Sequence, residues 1–118
     1  MSADESARAV FDPAAFALQT GGDADLRAEI IQMFLEDCPM RVEDIRAAIS
    51  SGDTAELVSS AHALKGSAAY LAASIVRECA GELERLGREG DLAAAPAALE
   101  QLDAAVAVLL VELHKITS

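Results

Sequence analysis

Residues 53–71 read DTAELVSSAHALKGSAAYL. Leu57, Ala61, Leu64, Ala68 and Leu71 recur at spacings of 4, 3, 4 and 3, the pattern of a buried helical seam. Asp53 followed by Glu56 forms a capping box, so the helix starts at about residue 54. It should end near 71–73, although LAAS (71–74) contains neither glycine nor proline.

Matching stripes lie on both sides. Upstream, Asp12 and Pro13 start a short helix over about 13–20, which Gly21 and Gly22 stop. Asp23 caps a second helix carrying Leu26, Ile30, Ile31, Phe34 and Leu35. Pro39 interrupts that helix near its end or starts a further segment with Val42, Ile45 and Ile49. Downstream, Ser74 caps a helix through Ile75, Cys79, Leu83 and Leu86, and Gly90 with Asp91 ends it. Pro96 falls in the first turn of a last helix through Leu99, Leu102, Val106, Leu109 and Leu113. One short helix and four long ones with short links predict an all-α fold, an up-down-up-down antiparallel four-helix bundle with a short additional N-terminal helix. Residues 1–10 read as a flexible tail and 11–118 as a single domain.

Composition agrees. Of 118 residues, 53% are hydrophobic, much of that alanine, while aromatics are 3% and tryptophan is absent. Net charge is −11, which argues against binding nucleic acid or an anionic membrane surface. The opening MSADESARAV has no apolar run of the secretory kind, and no stretch of about 18 uninterrupted apolar residues exists to span a membrane. Cys38 and Cys79 are far apart and in no metal-like spacing, so the expectation is two reduced, packed thiols in a cytoplasmic protein. Neither histidine forms the E-x-x-H pair of a metal-binding bundle.

His62 lies roughly 140° from the middle of the seam and therefore faces outward. The same turn rule gathers Ala55, Val58, Ser59, Lys65, Gly66 and Ala69 around it. A glycine inside a helix costs about 1 kcal/mol against alanine. In so alanine-rich a chain, Gly66 points to something large that must approach the imidazole. Lys65, one turn on, places a cation where a negative group on the ring would sit. With the turn near residue 73, His62 lies 11 residues before it and Glu84 lies 11 after, at the same height of an antiparallel pair. A carboxylate there can fix one ring nitrogen and leave the other free as a nucleophile. Equally, Glu84 can pair with Arg88 four residues on.

These residues, with FDPAAF (11–16), IIQMFLEDCP (30–39), SGD (51–53) and CAGELERLGREGD (79–91), resemble the histidine phosphotransfer (HPt) domains of two-component phosphorelays over nearly the whole chain. The resemblance implies that His62 takes a phosphoryl group from a receiver-domain aspartate and passes it to another receiver. It implies that Lys65 neutralises the phosphoryl group, that Gly66 gives the partner room, and that Glu84 holds the ring. In the family that last position is often glutamine, or glutamate in chemotaxis-kinase relatives. Relatives often have glycine where this chain has Ala72.

The expected partners are receiver domains of response regulators or hybrid histidine kinases, met by a monomer that docks through Ala55, Val58, Ser59 and Ala69. No cofactor of its own is expected, with Mg²⁺ supplied by the receiver. The chain has no P-loop, no glycine-rich nucleotide loop and no histidine–acid–x–x–x–proline pattern, so it reads as a phosphocarrier without its own ATP site. The alternative is an HPt-like module that docks receivers or kinases without being phosphorylated; it would not need His62, Lys65 and Gly66 together.

Overall fold

Aspartates set the starts of the helices. In the computed structural model, which describes residues 3–117, Asp12, Asp23 and Asp53 each accept a hydrogen bond from the backbone N–H three residues on, at 3.0–3.1 Å. They open α2 (Pro13–Gln19), α3 (Ala24–Ser51) and α4 (Thr54–Tyr70). Glu56 does not return the favour expected of a capping box, because its Oε1 accepts from the Ser60 hydroxyl at 2.8 Å. α5 spans Ser74–Glu89 and α6 spans Ala95–Thr117. Ser74 is not the cap of α5: Ala73 holds that position and contributes no side-chain bond.

α3 to α6 make the four-helix bundle. α3 packs on α4, α4 on α5, α5 on α6, and α6 closes on α3. Links of two to five residues force each helix to run against its predecessor. The direction of the α4–α5 pair is visible in its contacts, since Leu57 and Val58 face Gly87, His62 faces Glu84 and Lys65 faces Gly81. The predicted seams of α4 and α6 are buried in full. On α5 the inner face is instead Val76, Ala80, Leu83 and Leu86, so Ile75 and Cys79 stand at its edge. Across α3 and α6, Arg46 Nη2 donates to both carboxylate oxygens of Asp103 at 3.0 and 3.1 Å.

Two further expectations fail for physical reasons. Pro39 does not divide α3, which runs unbroken for 28 residues. Proline inside a helix costs about 3 kcal/mol. Here Pro39 is exposed, while Ile31, Phe34, Cys38, Val42, Ile45 and Ala48 form one buried stripe across it, and that packing prevails. The tail expected over 1–10 also holds a helix, α1 (Ala3–Val10), packed on α5 and α6 with Val10 half-buried against the core. Its alanines and charged residues are good helix formers without a long apolar run to announce them. Residues 1, 2 and 118 lie outside the described residues.

α4 ends in the way α3 and α5 do. A left-handed residue closes each turn, Gly52 at φ 74° directly after α3 and Gly90 at φ 71° directly after α5, and the backbone N–H beyond it reaches back to a carbonyl of the last turn. Between α4 and α5 the left-handed residue is Ala72, at φ 61°. Its carbonyl accepts from the Asp12 N–H at 3.2 Å, which ties the N-terminal segment to this turn. Phe11 and the fully buried Phe16 pack edge to face beside it, with ring centroids 5.8 Å apart.

Candidate functional site

The rotation of α4 that buries Leu57, Ala61, Leu64 and Ala68 turns His62 to solvent, with 65% of its side chain exposed. Glu84 stands opposite on α5, and only 5% of its side chain is exposed. His62 Nδ1 lies 2.8 Å from Glu84 Oε2. Lys65 Nζ lies 2.5 Å from Glu84 Oε1, and Arg88 donates to Oε2 at 2.7 Å. One buried carboxylate therefore serves three partners, and the two pairings open to Glu84 in the sequence, with His62 and with Arg88, are both made.

Electrostatics settles which ring nitrogen holds the proton. The Lys65 ammonium, and next the Arg88 guanidinium, hold Glu84 down at about 2, against burial, which pushes it up. At neutral pH Glu84 is thus an ionised carboxylate, which only accepts hydrogen bonds. Nδ1 must be the donor, and the neutral ring carries its free lone pair on Nε2, the nitrogen away from Glu84.

Three glycines shape the approach. A Cβ placed on Gly66 meets nothing within 4 Å, so this glycine is not a helix contact. A Cβ on Gly81 would meet the Lys65 stem at 3.4 Å, an ordinary van der Waals contact, where the lysine lies across α5 to reach Glu84. A Cβ on Gly87 would stand 2.9 Å from Val58 Cγ2 and 3.2 Å from Leu57 Cγ. Gly87 therefore permits the close approach that lets Glu84 reach His62. The sequence reading missed it, although a second helix-interior glycine at the right height was the available signal.

Of the four expected docking residues, Ala55, Ser59 and Ala69 are exposed, while Val58 is half-buried because it packs over Gly87. A groove of about 580 Å³ between α3 and α4 begins at Gly66 and is lined by Ile30, Met33, Phe34, Asp37, Ser67 and Tyr70. Met33 is 66% exposed there, and Tyr70, read from sequence as packing, stands half-exposed at its rim. Among the described residues, no group of three or more His, Cys, Asp and Glu is placed to hold a metal ion, and no helix is long and apolar enough to cross a membrane. Cys38 is buried in the core, where burial and the nearby Asp37 carboxylate push its thiol up to about 12; Cys79 is half-buried.

Comparison with known proteins identifies the fold and the family. The fold matches histidine-containing phosphotransfer protein B (HptB) from Pseudomonas aeruginosa PAO1 with a TM-score of 0.86 at 26% identity, covering 92% of this chain and 94% of that one. It matches the HPT domain of a sensor hybrid histidine kinase from Shewanella with a TM-score of 0.78 at 21% identity, over the same shares of the two chains, a likeness of fold. No curated protein sequence gives a significant match. Residues 29–112, from the first turns of α3 to the last turns of α6, match the sequence profile of the Hpt domain, and with that span enclosing His62, Lys65, Gly66 and Glu84 the chain belongs to the Hpt domain family.

Proposed function

We propose that this protein is a phosphocarrier in a two-component phosphorelay and that His62 carries the phosphoryl group. The observation that supports this most is the pairing of His62 Nδ1 with the ionised Glu84, which leaves Nε2 outward beside an open glycine. Nε2 attacks the phosphorus of a receiver's aspartyl phosphate in line. The N–P bond forms as the acyl P–O bond breaks, and the aspartate leaves as a carboxylate. The Nδ1 proton stays on the ring, which becomes cationic against Glu84. Passing the group to a second receiver reverses these steps.

Transfer of this kind rests on positioning and charge stabilisation. Lys65, one turn from His62 on the same helix, neutralises the new phosphoryl group in this scheme, and Gly66 admits the receiver. Mg²⁺ belongs to the receiver in this scheme, and no ATP is used. The α3–α4 groove adjoins Gly66 and supplies apolar surface for the same partner, together with Ala55, Ser59 and Ala69.

The test is incubation with phosphorylated receiver domains of the same organism in the presence of Mg²⁺, comparing wild type with His62→Gln. Acid-labile, base-stable label on wild type and none on the variant is the expected result. A folded wild type that takes no label from any receiver would leave docking without phosphorylation as the function.

A further inference from the structure

Three donors converge on one buried carboxylate, and the proposed exchange uses only two of them. His62 Nδ1 lies 2.8 Å from Glu84 Oε2, and Lys65 Nζ lies 2.5 Å from Oε1. The third donor is Arg88, whose Nη2 reaches Oε2 at 2.7 Å, the same oxygen that faces the ring. Lys65 comes across from α4, whereas Arg88 stands one turn beyond Glu84 on α5 itself. The other charges of that helix leave Arg88 to this contact. Arg85 is engaged by Glu82 and Glu89, and Glu84 is the one carboxylate that Arg88 pairs with among the described residues.

Two cations on one carboxylate matter because one of them has to leave. In the proposed exchange a neutral His62 meets the phosphoryl group, and Lys65 turns from Glu84 toward it. The ring becomes cationic only as the N–P bond forms. Until then Glu84, if Lys65 were its only cation, would be a buried charge without a counter-ion. Removing one partner of a buried ion pair strands the other at high cost. The carboxylate would therefore hold the lysine back. Arg88 changes this, because it is bound to the other oxygen, on the same helix, and need not move. Lys65 first and Arg88 next hold Glu84 at about 2 against its burial, so the two cations share the compensation.

We propose that Arg88 is a positioning residue: it stays on Glu84 Oε2 when Lys65 moves to the phosphoryl group, so that the carboxylate keeps its charge and its hold on Nδ1 while Nε2 reacts. This rests on the proposed exchange with receivers. Arg88 acts through Glu84 and does not touch the phosphoryl group, which Lys65 serves. Its guanidinium suits the part, since it is always charged and its planar fork fixes the oxygen that it grips.

Nitrogen NMR of the His62 ring, at about pH 8 and with no receiver present, reads the hold on the ring. Wild type and Lys65→Ala should both show the neutral form protonated on Nδ1, because Arg88 alone keeps Glu84 ionised. Combining Lys65→Ala with Arg88→Gln removes both cations, and that form should give way to the imidazolium or to the other tautomer. Phosphotransfer from receiver domains of the same organism reads the exchange. Arg88→Gln should lower the maximal transfer rate about ten-fold and leave the half-saturating receiver concentration unchanged. Arg88→Lys keeps a cation four residues from Glu84 and should recover most of the rate. In a Glu84→Gln background, Arg88→Gln should cost nothing further. The inference is overturned if Lys65→Ala alone loses the Nδ1–H form or the double variant keeps it. It is equally overturned if Arg88→Gln transfers at the wild-type rate, if only the half-saturating concentration changes, if Arg88→Lys recovers nothing, or if the loss persists beside Glu84→Gln. Absence of label on wild type, with the ring spectra as expected, would sink the proposed transfer and leave Arg88 as the residue that fixes Glu84 against the ring.

Discussion

Gly66 and Gly87 are both inside helices of the same pair, and substituting alanine at each should move stability in opposite directions. Alanine is favoured over glycine in a helix interior by about 1 kcal/mol. At Gly66 nothing lies within 4 Å of the added carbon, so the full gain is kept. Gly66→Ala should therefore stabilise the protein by about 1 kcal/mol, a rise in melting temperature of about 4 °C for a chain of this size. At Gly87 the added carbon sits 2.9 Å from Val58 and 3.2 Å from Leu57. Leu57 is fully buried and Val58 is β-branched with few rotamers, so relief requires α4 and α5 to separate. Overpacking of this kind costs about 1–3 kcal/mol, which exceeds the propensity gain, so Gly87→Ala should lose about 1 kcal/mol. Urea unfolding followed by circular dichroism reads both. Phosphotransfer from a receiver reads the other half: Gly66→Ala should be more stable yet slower, by roughly 5- to 100-fold if the partner meets the methyl at van der Waals contact. A Gly66→Ala protein that is destabilised, or that transfers at the wild-type rate, would refute the access role given to this glycine.

Other substitutions probe the frame of the site. Ala72→Gly should stabilise by about 1 kcal/mol, because the left-handed conformation at φ 61° penalises alanine; equal stability by urea unfolding would contradict that. Glu84 is held at about 2 when folded against an ordinary value of 4.5, so its contribution to stability is complete above pH 4.5 and is lost as pH falls toward 2. Glu84→Gln should accordingly lose less stability than wild type over that interval, and parallel acid titrations of the two proteins would contradict the assignment. At mildly alkaline pH a thiol reagent should modify Cys79 before Cys38, whose buried thiol should react only on unfolding, as peptide mapping after timed alkylation would show.

Much of this architecture is written in short-range signals. Three aspartates cap where their spacing to the next helix says they should, and the seams of α4 and α6 are buried in full. The outward turn of His62 follows from the seam of its own helix, and the height of Glu84 follows from counting residues across the turn. Whether Glu84 faced His62 was beyond that counting, because it depends on how closely two helices pack. Gly87 sets that distance through contacts made only in the assembled bundle. Pro39 was misjudged for the same reason: local propensity breaks the helix, and the apolar stripe on either side overrides it only when a partner helix is present. Only the first half of the α5 seam departs from the sequence pattern: Ile75 and Cys79 keep helical spacing to the buried Leu83 and Leu86, but Val76 and Ala80 take the inner positions.

The bond between Lys65 and Glu84 crosses from one helix to its neighbour, so it is a clasp on the bundle as well as a feature of its chemistry. Under the proposed exchange, a lysine drawn toward a phosphoryl group on His62 would let go of that clasp. Loading the group then loosens the scaffold, and by reciprocity whatever tightens the scaffold encourages the group to leave. A carrier of the proposed kind would hold its cargo at a slight mechanical disadvantage, which would suit a molecule that hands the cargo on.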